Sequence, residues 1–114
     1  MTGVQTCALP IYQLYPDFAN NLDYTHIVND RQYQRLMSWL DQAQAAGATI
    51  ESTTTSDYQS YRQHRKLPLQ IVTNANPDLH LLQQEIFGPI LPIIGYDSVE
   101  QAIEYVQEIG RAHV

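Results

Sequence analysis

Residues 83–93 read Gln83-Gln84-Glu85-Ile86-Phe87-Gly88-Pro89-Ile90-Leu91-Pro92-Ile93. A polar stretch, one aromatic and a Gly-Pro pair break the chain, and the aliphatic run at residues 90–94 then reads as a buried strand. Just upstream, residues 79–84 have room for a short helix or turn, and Asn74-Ala75-Asn76-Pro77 turns the chain. Before that turn, LPLQIVT at residues 67–73 is apolar and β-branched, while Pro68, lacking an amide donor, argues for an edge or strand-entry position rather than a central one. Downstream, Ser98-x-x-Gln101 has the spacing of a capping box opening a last helix, with Val99, Ala102, Ile103 and Val106 predicted to face inward.

Working further outward, Tyr33, Leu36, Met37, Leu40, Ala43 and Ala46 recur at helical spacing and predict a helix over residues 31–46. Asn29 or Asp30 is placed to cap it, Asn29-x-x-Gln32 can satisfy amide donors reciprocally, and Gly47 stands where a left-handed residue is needed. Residues 23–28 predict a short docking turn of helix. Ala48-Thr49-Ile50 predicts a short strand, and residues 51–66, rich in Ser, Thr, Gln and Tyr, predict a surface loop or hairpin tip. The order helix, strand, loop, strand, turn, strand, helix is that of an α/β fold. Two good helices cannot cover both faces of its sheet, so the chain reads as part of a larger domain.

The two ends read differently from the middle. Cys7-Ala8-Leu9-Pro10-Ile11 can be encoded by TGTGCTCTTCCGATC, whose reverse complement, one base out of frame, translates as Ile109-Gly110-Arg111-Ala112-His113. Extending the same oligonucleotide through Val4-Gln5-Thr6 places a stop after Val114. Residues 1–11 and 108–114 thus resemble a translated sequencing adapter, with residues 12–107 as the insert. Leaving the ends out removes Arg111 and Glu108 together, so the net charge stays at −6. An acidic chain with no basic cluster beyond Arg65-Lys66 excludes nucleic acid and anionic membranes as expected partners. The lone Cys7 falls in the adapter-like end, leaving no thiol for a disulfide, a metal or a nucleophile. With no long apolar run and no secretory leader, the expectation is a soluble, cytoplasmic protein.

Read alone, Glu85-Ile86-Phe87-Gly88-Pro89 fits a surface carboxylate beside a core aromatic at a turn. With its flanks it resembles the EIFGP segment of the aldehyde dehydrogenase superfamily. Before it stands an apolar strand ending in T-x-x-x-x-D-x-x-L-x-x-Q-E, and after it a strand, a Tyr-Asp turn and the helix Ser98-Val99-Glu100-Gln101-Ala102-Ile103. Asp23-Tyr24 and Ile27-Val28-Asn29-Asp30-Arg31-Gln32-Tyr33-Gln34-Arg35-Leu36 resemble the branch of class 3 and coniferyl aldehyde dehydrogenases, with its I-[IV]-N-x-R-x-[FY]-x-R-[IL] pattern. The match spans nearly all of residues 12–107 but only a small share of a typical family member, from the latter half of its catalytic domain.

The resemblance implies an incomplete piece of a Rossmann-like three-layer αβα catalytic domain. It implies an enzyme that oxidises an aldehyde, aromatic and coniferyl-aldehyde-like, to the acid with NAD or NADP, and a homo-oligomeric parent. It assigns Glu85 to the hydroxyls of the ribose next to nicotinamide, since an ionised carboxylate can accept two donors at once. It assigns Phe87 to an apolar wall beside the nicotinamide. Gly88 would let backbone approach closely and Pro89 would stiffen the turn, while Gln84 departs from the commoner acidic residue. The family's catalytic cysteine precedes this segment, and Cys7 lacks the expected Gly-Gln before it, so no catalytic residue is assigned.

Elsewhere the residues read blandly. His26, His64 and His80 have no metal-ligand spacing, so no metal is expected. Arg62, Arg65 and Lys66 fit a solvated loop better than a phosphate site, and Met37 and Trp39 fit helix packing. Two alternatives stay open. One is an acidic α/β module that binds a protein through residues 51–66, the other a semialdehyde or acyl-phosphate reductase relative.

Overall fold

The structure, a computed structural model, describes residues 17–52 and 62–112. Cys7, the predicted boundary at residue 11 and most of the 51–66 loop lie outside the described residues. Among the described residues, three helices, α1 (Asp30–Ala45), α2 (His80–Gln83) and α3 (Val99–Ala112), accompany three strands, β1 (Thr49–Ser52), β2 (Gln70–Thr73) and β3 (Ile90–Pro92).

Capping at both ends defines α1. Asn29, in extended conformation, accepts a hydrogen bond from the Gln32 amide at 2.9 Å, and Asp30 places negative charge in the first turn, where the helix dipole favours it. Gly47, at φ +93°, ends the helix: its amide donates to Gln44 and the Ala48 amide reaches back to the Ala43 carbonyl, the paired bonds of a Schellman motif. Only half of the predicted N-terminal box forms, because the Gln32 side chain accepts from Arg35 Nε at 2.5 Å.

The sheet is mixed, in the order β1-β2-β3. β1 runs antiparallel to β2, with Thr49 opposite Thr73, and β3 runs parallel to β2, with Gln70 opposite Ile90. β2 is therefore the middle strand, against the edge alternative raised by Pro68. That proline lies outside the ladder, before Gln70, where its missing amide costs no bond, so the strand-entry alternative holds.

α1 lies on one face of this sheet. Its Tyr33, Leu36, Leu40 and Ala43 pack with Val72 and Ile90 into the core, joined by Ile27 and by Leu81 from α2. Each fully buried aliphatic side chain contributes roughly 1.5–3 kcal/mol, which makes this interface the main source of stability. Ile71, pointing to the opposite face by strand alternation, is equally buried.

Three expectations are corrected. Residues 23–28 form a turn and an extended approach rather than helix, because the Ile27 amide donates to Arg65 and the Tyr24 hydroxyl to Leu67, both far along the chain. In the predicted buried strand only Ile90 is buried; Leu91 on β3 and Ile94 past its end are exposed, and among the described residues no further strand pairs with β3. Val99, Ile103 and Val106 do not face inward but stand 60%, 51% and 66% exposed. The start of α3 is capped by Ser98, whose Oγ accepts from the Gln101 amide at 3.2 Å as predicted, while the Gln101 side chain accepts from the Asp97 amide rather than from that of Ser98. The three residues share one apolar stripe of α3, but the described residues offer no surface for that stripe to meet.

Candidate functional site

The segment that carried the strongest motif is the loop from α2 to β3. α2 closes with the Gln84 amide donating to His80, and the loop rejoins the sheet where Pro89 accepts from the Gln70 amide, both at 2.9 Å. Between these fixed points Gln84 is extended and Phe87 adopts φ +51°. A left-handed conformation is unusual for a bulky aromatic residue and persists only where the surroundings dictate it.

The surroundings belong to α1. Arg35 donates from its two terminal nitrogens to the carbonyls of Glu85 (3.3 Å) and Ile86 (2.5 Å). Its guanidinium also lies 4.3 Å from the centre of the Trp39 ring, a cation–π stack that holds the planar head in place. The next residue of α1, Leu36, fills the space a side chain at Gly88 would need, so the glycine's role here is close approach to a helix. Gly88 itself is not left-handed; that conformation falls on Phe87.

This arrangement turns the two predicted cofactor residues outward. Phe87 is 77% exposed, so it is not a core aromatic. Glu85 is exposed, and its carboxylate accepts no hydrogen bond and makes no ion pair among the described residues. Phe87 and Gly88 line a cavity of about 860 Å³ together with Tyr24, His26, Asn29 and Leu69, whereas Glu85 lies outside its walls. The apolar ring and the free carboxylate thus stand two residues apart on one loop, beside a recess large enough for a planar ring.

Of the remaining described candidates, His26 reaches this site and the others separate from it. His26 edges the cavity, His64 lies beside Gln63, and the His80 ring faces Trp39 at 6.2 Å. No group of three or more His, Cys, Asp or Glu is placed to hold a metal among the described residues. Lys66 is not part of a solvated loop. Its ammonium donates to the carbonyls of Phe18, Ala19 and Asn21 at 3.3, 3.0 and 2.9 Å, tying the start of the described chain to the entry of β2. Arg65, at φ +53°, buries its Nε. Trp39 packs in the core as read from its spacing. Sequence reading missed Arg35. Its i, i+4 spacing to Trp39 was available as a signal, but its carbonyl acceptors lie about fifty positions downstream.

Among the described residues no helix is long and apolar enough to cross a membrane. Residues 10–110 match the model of the aldehyde dehydrogenase family. The coniferyl aldehyde dehydrogenase of Pseudomonas sp. is 37% identical over 99 residues, which are 86% of this chain and 21% of that protein. The dimeric NADP-preferring aldehyde dehydrogenase of Bos taurus is 34% identical over 93 residues, 81% of this chain and 35% of the relative. In three dimensions, a 3,6-anhydro-L-galactose dehydrogenase in complex with NAP superposes with a TM-score of 0.58 at 28% identity, covering 68% of this chain and 17% of that one. The chain thus spans only part of the length of each relative.

Proposed function

Because the chain belongs to the aldehyde dehydrogenase family, we propose that it is the cofactor-orienting part of an NAD(P)-dependent enzyme oxidising an aldehyde to the carboxylic acid. The substrate is aromatic and coniferyl-aldehyde-like, in keeping with the name of the Pseudomonas relative. The enzyme is a cytoplasmic homo-oligomer, and residues 12–107 are its share of this chain.

The observation that carries this reading is the loop at residues 85–87, pinned from behind by Arg35 and turned outward in front. An exposed carboxylate with no partner among the described residues suits the paired hydroxyls of a ribose, since it can accept two donors together. An exposed aromatic face held at a fixed angle suits a planar ring and keeps water from one side of it. When bound, the nicotinamide supplies the hydride acceptor. Glu85 fixes its ribose, Phe87 walls its ring, and the approach of Gly88 to Leu36 fixes the loop from which both project.

Neither residue is a nucleophile or a general base for the aldehyde carbon. The thiolate for that step comes from elsewhere in the full enzyme, and the isolated chain has no dehydrogenase activity. In the full-length enzyme, Glu85→Gln raises the KM for NAD(P) by roughly tenfold or more, the loss expected of a charge-assisted hydrogen bond. An unchanged cofactor KM in that variant overturns the assignment, and NAD(P)H formation by the isolated chain with a broad aldehyde panel overturns the inactivity.

A further inference from the structure

We propose that Arg35 is a positioning residue for the cofactor: from α1 it sets the direction in which the Glu85–Phe87 loop presents its side chains. The inference rests on the reading of Glu85 and Phe87 given above.

Phe87 sits at φ +51°, a conformation that needs outside enforcement. The peptide groups immediately before it belong to Glu85 and Ile86, and Arg35 donates to both carbonyls. Two parallel donors from one planar group fix position and rotation together, which a single donor cannot do. Arg35 is itself held on two further sides, by Gln32 Oε1 on its Nε and by the face of Trp39. Trp39 is buried in the core, so the geometry of the loop is referred to the rigid α1–sheet interface rather than to solvent-exposed chain. The hydrogen bonds from Arg35 to this loop end on the Glu85 and Ile86 carbonyls, so it acts through the backbone from which the two side chains project.

The test uses the full-length enzyme that carries this segment. Arg35→Met keeps the aliphatic bulk and removes the donors. It is expected to raise the KM for NAD(P) about tenfold, the scale of a small misplacement of a binding group, and to leave the aldehyde KM unchanged. Arg35→Lys, with one point donor in place of the fork, recovers only part of the loss. Glu85→Gln is measured in parallel. A shift with Glu85→Gln and none with a folded Arg35→Met overturns the positioning role and leaves the cofactor reading standing. No shift with either overturns both. If Arg35→Met does not fold, Gln32→Leu carries the test by releasing the guanidinium on one side. The proposal then expects a smaller rise confined to the cofactor KM, and an equal loss in both KM values or none overturns it.

Discussion

Leu36 and Gly88 occupy space that admits only one side chain between them: a Cβ built on the glycine runs into the leucine's methyl group. Leu36 is fully buried, so it has no free volume into which to withdraw. Gly88→Ala should therefore destabilise the full-length enzyme by about 1–3 kcal/mol, the range for overpacking, despite the small entropic gain of losing a glycine. Thermal unfolding checks this. In a Leu36→Ala background the same change should cost at least about 1 kcal/mol less, because the two sites share one volume.

Phe87 should show stability and function moving in opposite directions. Its ring is largely exposed and contributes little burial, while its φ of +51° carries strain. Phe87→Gly is expected to leave the melting temperature unchanged or raise it, by up to about 1 kcal/mol of stability, while weakening the cofactor KM several-fold. A clear drop in melting temperature would show that the ring is held by burial instead.

Lys66 makes the opposite case, a cation whose work is structural. Lys66→Met removes three donors to the backbone of residues 18–21 and should cost about 1–3 kcal/mol, with early proteolytic cleavage around residue 20 as the local sign. Lys66→Arg should not restore full protection, since a flat fork cannot converge on three carbonyls as an ammonium can.

The apolar stripe of α3 should change sign with context. In the isolated chain Val99, Ile103 and Val106 face water, and a dye that fluoresces on apolar surface should bind there. Ile103→Glu should reduce that binding and the self-association that accompanies it. In the full-length enzyme, where the stripe is expected to be covered, the same substitution should destabilise by roughly 2 kcal/mol or more, the cost of burying an unpaired carboxylate. Sedimentation of the one and thermal unfolding of the other separate the two effects.

What the sequence disclosed and what it withheld follow from the range of the forces involved. α1 was legible because its cap, its apolar spacing and its terminal Gly47 are all local, and the turn at residues 74–77 was legible for the same reason. Pro68 left an edge and a strand-entry position open, and the strand-entry one holds because the ladder begins only at Gln70. Residues 23–28 could not be read as extended, since the bonds that hold them come from Arg65 and Leu67. The motif placed Glu85 and Phe87 on one loop, but composition gave no hint that an arginine on α1 would fix that loop. The inward face predicted for α3 fails because the direction an amphipathic stripe faces depends on a neighbouring surface, and the described residues supply none for Val99, Ile103 and Val106.

Lys66 has one more consequence, for chemistry in the test tube. It is the chain's only lysine, and its nitrogen spends its donors on three carbonyls instead of water. An acylating reagent must find that amine free of those partners before it can attack. The rate of acylation at this one side chain therefore reports how often the start of the described chain lifts away from β2, with no residue changed.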